Sequence, residues 1–148
     1  MSKKQQQSLQ FFRLEERSPL SIDYAEGGFV HAGFPTPVDD AFMQKIDLNK
    51  ILMTHPATTF LARVQGDSMI DAGVNEGDLL IVDRSLRPTD KSLNVCCLEG
   101  EFSLKRIEKR VDKLILHANN PEYKPIEVTA EMNFQVWGVV TYCIKKMK

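Results

Sequence analysis

The sequence predicts a mostly β protein: a rolled, barrel-like antiparallel sheet preceded by a flexible N-terminal arm. Three observations predict it. From Thr58 onward, short apolar runs of strand length recur between turn residues. Over the same stretch there is almost no helical periodicity. Residues 1–37 carry neither period and are rich in Gln, Ser, Gly and Pro, a composition that reads as extended chain. The expected division is therefore an arm over residues 1–37 and a β-rich domain over 38–148.

The elements follow in chain order. "EGGFVHAGFPTPVDD" packs three glycines and two prolines into a short span; prolines remove backbone donors and glycines add freedom, so no regular element is expected there. "VDDAFMQKIDLNKILMTH" has room for one or two helical turns, with Asp39 or Asp40 as N-cap and Pro56 as the stop. "TTFLARVQ" and, after the turn "VNEG", "DLLIVD" read as strands. "LNVCCLEG" and "EFSLKRIE" form a hairpin about Glu99-Gly100, followed by the strand "KLILHA". "NNPEYKP" is a Pro-bounded loop, and "FQVWGVVTYCI" is the last strand.

Composition excludes several function classes. A length of 148 residues allows one domain with a core of its own. A formal net charge of −1 gives no nucleic-acid footprint. No apolar run approaches the roughly 20 residues of a membrane helix, and the start has no secretory pattern. Residues 1–37 are too short and too unpatterned for a helix-turn-helix module, so sequence-specific DNA binding is not expected. The three cysteines, Cys96, Cys97 and Cys143, show no CxxC spacing. They read as small hydrophobes of a reducing cytoplasm, and neither a metal nor another cofactor is expected.

One short stretch raises a chemical question: Gly66-Asp67-Ser68-Met69, between an apolar run and a second glycine. Such clusters are most often plain turns. A serine becomes a nucleophile only when a base takes its proton. The three histidines, His31, His55 and His117, have no acid in a recognisable sequence relation, so a Ser–His–Asp triad is not supported. The alternative base is a lysine, which must be buried to lose its charge. Lys105, within "EFSLKRI", is the lysine best placed in an apolar strand pattern. A bond to cut is also present. "FVHAGFPTP" has the character of extended chain, with a small residue, Ala32, before Gly33. That segment would act as a substrate held at high effective concentration.

Together "AGFPTPVDD", "KIDLNKIL", "GDSMIDAGVNEGDLLIVD", "GEFSLKRI" and "VWGVV" resemble the LexA/UmuD family of self-cleaving Ser/Lys peptidases. The resemblance runs from "AGFPTP" to the C-terminus, and Ser68 and Lys105 stand at the separation of that family's nucleophile and base. It implies a fold shared with LexA and signal peptidase. It also implies Ser68 as nucleophile, Lys105 as base, and an oxyanion hole from backbone N–H groups of Asp67 and Ser68. The scissile bond would be Ala32–Gly33. Partners would be a second copy in a homodimer, a RecA filament on single-stranded DNA, and a UmuC-type Y-family polymerase for translesion synthesis in the SOS response. One departure is "TDKSLNVCCLEG", where the family usually shows Gly-Asp before a Val/Ala-rich strand; the turn at Asp90–Ser92 must therefore close without that glycine. The competing expectation is a catalytically silent module that only binds polymerase or RecA, which would need neither Ser68 nor Lys105.

Overall fold

The computed structural model describes residues 8–13, 21–25, 43–65, 73–118 and 120–148. Their contacts group into two units, Met1–Leu14 with His55–Lys148, and Glu15–Thr54. The smaller unit holds strands β2 (Ser21–Ala25) and β3 (Met43–Asp47), paired antiparallel, and helix α1 (Leu48–Leu52). Helix α1 is capped by Asp47, whose Oδ1 accepts from the Asn49 N–H at 3.0 Å. The helical turn expected in this stretch thus exists, but Asp47 rather than Asp39 or Asp40 caps it. Those two residues lie outside the described chain.

The larger unit is one antiparallel sheet in the order β1-β4-β5-β10-β6-β7-β8-β9. Its strands are β1 (Ser8–Arg13), β4 (Thr59–Gln65), β5 (Leu79–Asp83), β6 (Asn94–Leu98), β7 (Glu101–Lys109), β8 (Leu114–His117), β9 (Ile126–Val128) and β10 (Phe134–Ile144). The expected mostly β, rolled fold is the fold observed. The sheet is open but strongly curled into a half-barrel. β1 and β7 are not neighbours in the sheet, yet Phe11 meets Phe102 edge-on, with ring centroids 5.1 Å apart. Trp137 of β10 lies beside Phe11, 4.5 Å from it and 6.1 Å from Phe102. Inside the curl, Ala62, Val64, Val74, Leu80, Val82, Val95 and Leu104 form one buried cluster. Burial of such apolar side chains is the main force that holds a small sheet closed.

Two local features make the curl possible. β10 slips register against β6 between Val136 and Gly138, and against β5 between Val140 and Tyr142. Irregularities of this kind bend a strand and increase its twist. Gly138 lets β10 approach β5 closely, since a Cβ there would lie 2.6 Å from Val82 Cγ1.

Four strands are not announced by the sequence: β1, β2, β9, and β3, which takes Met43–Asp47 in the stretch read as helical turns. β1 and β2 both fall within residues 1–37, where the expected period is lacking. "SLQFFR" is apolar on both faces, so it shows no clean alternation; Leu9 and Phe11 pack on the core, while Phe12 lies 5.5 Å from the Arg63 guanidinium. β9 likewise lies beyond the expected loop, too short to stand out.

Candidate active site

The "LEGE" turn of the β6–β7 hairpin sets the position of Lys105. Glu99 and Gly100 both have positive φ, 50° and 79°, the combination that matches the twist of a two-residue hairpin. The resulting register puts Asn94 opposite Lys105 and Cys96 opposite Ser103. Because strand residues alternate faces, Lys105 shares its face with Asn94 and Cys96, while Leu104 turns to the core with Val95.

Lys105 is only 8% exposed, and Asn94 and Cys96 are fully enclosed. Asn94 is the brace. Its Nδ2 donates to the Lys105 carbonyl at 3.2 Å and to the Ser92 carbonyl at 3.1 Å, and its Oδ1 accepts from the Ser92 hydroxyl at 2.8 Å. Ser92 in turn closes the Thr89–Ser92 turn: its Oγ accepts from the Thr89 N–H at 2.9 Å, and its N–H donates to the Thr89 carbonyl. The turn expected to be short of a glycine is therefore closed by a serine hydroxyl. The same serine and Asn94 tie it to the backbone of Lys105.

The surroundings of Lys105 shift it toward its neutral form. Burial lowers its pKa below the ordinary lysine value of 10.5, and only a charged Cys96 would oppose that. Burial pushes the Cys96 thiol up to about 12, so no thiolate is present where Lys105 titrates. Among the described residues no carboxylate forms an ion pair with Lys105. Its Nζ lies 6.0 Å from the centre of the Tyr123 ring, the outer limit of cation–π attraction.

Ser68, Asp67, Ala32 and Gly33 lie outside the described residues. β4 ends at Gln65, and the chain is described again from Gly73. Both flanks are anchored: the Val64 N–H donates to the Asp78 carbonyl at 2.9 Å, and the Gly77 N–H donates to the Val64 carbonyl at 2.8 Å. The Asp78 carboxylate accepts from the Asn75 N–H at 2.8 Å and pairs with Lys145. Burial pushes that carboxyl up, but these bonds outweigh it and hold its pKa below the usual value.

Two histidines have acid partners that no sequence relation announced. His55 Nδ1 lies 2.6 Å from Asp83 Oδ2, and His117 Nε2 lies 2.7 Å from Glu108 Oε2. His55 and Asp83 are far apart in sequence, so no local spacing reveals the pair. It does not complete a triad among the described residues. The hydroxyls beside it, Thr58 and Ser85, both donate to Asp83 Oδ1 rather than to the imidazole. A cleft of about 910 Å³ between β7, β8 and β10 is bordered by Arg106, Glu108, His117, Phe134 and Val136, and Lys105 is not among its lining residues. No group of side chains suited to a metal ion occurs among the described residues, and no described helix is long and apolar enough to cross a membrane.

Sequence comparison extends this picture. A family model described as Peptidase S24-like matches residues 25–141. Protein ImpA of Salmonella typhimurium is 36% identical over 118 residues, covering 79% of this chain and 79% of that protein. Protein SamA of Salmonella typhimurium is 37% identical over 117 residues, covering 79% of this chain and 81% of its own. LexA repressor 2 of Pseudomonas syringae is 36% identical over 131 residues, covering 88% of this chain and 64% of the repressor.

Proposed function

The chain belongs to the Peptidase S24-like family of LexA- and UmuD-like proteins, and from that membership we propose that it cleaves itself at Ala32–Gly33 with a Ser68/Lys105 dyad. The observation that carries the proposal is the burial of Lys105 with no described carboxylate to keep it charged. A lysine placed for surface charge would lie in water. A lysine placed to accept a proton has to be desolvated.

The reaction runs in two halves. The Ser68 hydroxyl attacks the Ala32 carbonyl carbon while the neutral Lys105 amine takes its proton. Backbone N–H groups of Asp67 and Ser68 receive the negative charge that develops on the carbonyl oxygen. The C–N bond then breaks, and the Lys105 ammonium returns the proton to the departing Gly33 amine. An ester between Ala32 and Ser68 remains. Water, deprotonated by Lys105, hydrolyses it and frees both the serine and the Ala32 carboxylate. Asn94 holds the Lys105 backbone during both halves through the bond to its carbonyl.

In this reading residues 1–37 form the arm that contains the cut, and residues 38–148 form the peptidase domain. The protein works in the cytoplasm as a homodimer. A RecA filament on single-stranded DNA stimulates the cut, and the product starting at Gly33 serves a UmuC-type Y-family polymerase in SOS mutagenesis. The test is the mass of the product after incubation with RecA, ATP and single-stranded DNA. The parent chain should yield a fragment starting at Gly33, and Ser68→Ala should stay folded and yield none. The same fragment from Ser68→Ala, in a preparation free of other proteases, would remove Ser68 from the chemistry.

A further inference from the structure

We propose that β1 is a displaceable strand, and that the β4 edge beneath it is a docking site for an extended apolar–x–aromatic segment of a partner protein. The site is visible because β1 occupies it. β1 ends the strand order and pairs with β4 alone, from Ser8 opposite Gln65 to Arg13 opposite Phe60. The bonds of Val64 to Asp78 and Gly77 turn its backbone groups toward the β5 side. By alternation, Leu61, Arg63 and Gln65 turn theirs toward β1, so the pairs Gln10–Arg63 and Phe12–Leu61 close the ladder.

The side chains define what the site selects. On the inner face Leu9 and Phe11 stand opposite Val64 and Ala62, which are both fully buried. Phe11 reaches the Trp137 ring at 4.5 Å and the Phe102 ring at 5.1 Å. On the outer face Phe12 lies under the Arg63 guanidinium. Without β1, β4 would present an open row of backbone groups beside an apolar slot walled by Trp137 and Phe102. Such an edge is a template for another strand. The occupant must be extended, with an apolar residue in the place of Leu9 and an aromatic one in the place of Phe11.

The inference rests on the self-cleavage reading for the event that frees the site. A cut at Ala32–Gly33 severs β1 from the rest of its sheet. The fragment that carries the strand is then held by pairing alone, β1 on β4 and β2 on β3, without the effective concentration that the covalent link provides. A partner segment of the same alternation can take its place.

The experiment needs no self-cleavage, because it uses the intact chain. Trp137 is the only tryptophan, so its emission reports the slot. Gln10→Pro removes a ladder donor, whereas the Arg13 N–H faces away from β4, so Arg13→Pro is the control. Gln10→Pro should shift Trp137 emission to longer wavelength and speed hydrogen exchange at the Leu61 and Arg63 amides, while the Val64 amide stays protected. A peptide of residues 7–14, QSLQFFRL, should reverse both effects. A peptide of the same composition with the alternation inverted should bind at least about tenfold more weakly, a difference of about 1.4 kcal/mol. Unchanged emission and exchange in Gln10→Pro would overturn the proposal. So would equal binding of the two peptides, or failure of Gln10→Pro to fold, which would make β1 integral to the sheet. Association of the variant with a further copy that the peptide cannot displace would make that copy the occupant. Absence of a fragment starting at Gly33 is a separate outcome, which sinks the cleavage reading and leaves the strand exchange measured.

Discussion

At the scale of single residues, Lys105 is where folding conflicts with the proposed chemistry. A buried ammonium destabilises the fold, and its lowered pKa measures that cost. The sign follows from proton counting. Between the folded pKa and the ordinary value of 10.5, the unfolded chain binds more protons than the folded one, so stability rises with pH. Lys105→Met should therefore be more stable than the parent near neutral pH in denaturant melts, with the gap closing as pH approaches the ordinary lysine value. A constant gap across that range would mean that Lys105 is not desolvated. Lys105 itself was legible, because a lysine inside "EFSLKRI" interrupts an apolar strand. Its brace was not. Asn94 lies eleven positions upstream in a separate strand (the 2.8–3.2 Å bonds to Ser92 and Lys105 exist only once the hairpin has closed). The His55–Asp83 pair was hidden for the same reason.

At the scale of elements, the β6–β7 hairpin is the part most fully written in local sequence. Apolar runs flank Glu99-Gly100, and a two-residue turn fixes the register by itself. Slipping that register by one residue would turn Lys105 to the core face and Leu104 to its place. Gly100, at φ 79°, carries this constraint. Gly100→Ala should cost about 1–2 kcal/mol of stability, the usual cost of a left-handed conformation for a residue with a Cβ, and should slow self-cleavage in proportion to any loss of register. Thermal melts and fragment yield together check both parts; a variant as stable as the parent would contradict the turn assignment. β1, β2, β3 and β9 were not legible. β1 pairs with a strand distant in sequence, and its Phe11 packs on Phe102 and Trp137, contacts that no local pattern encodes; β2 and β3 pair with each other across about twenty residues, and β9 has only three residues in which to show a period. Helix α1 shows a milder limit: the helical turn was readable, but the choice among Asp39, Asp40 and Asp47 as its cap was not.

At the scale of the whole molecule, the proposed Ser68/Lys105 dyad requires that strands far apart in the sheet order come together, and the curl does this for β4 and β7. β4 leads into the segment that carries Ser68, and β7 carries Lys105. Val64 of β4 and Leu104 of β7 share one buried cluster although three strands separate β4 from β7 in the sheet. The sequence foretold the rolled sheet through its strand spacing, and the family through blocks spread along most of the chain. What strand periodicity alone could not foretell was how fully Lys105 is buried, which depends on how tightly the sheet closes. The central claim is that this buried lysine is the base, and the rate of self-cleavage against pH tests it most directly. Without RecA, the yield of fragment starting at Gly33 should rise with pH above neutrality and level off once Lys105 is neutral, below the ordinary lysine value of 10.5. A rate that stays flat from neutral to alkaline pH with the fold intact, or a rise that survives in Lys105→Met, would contradict it.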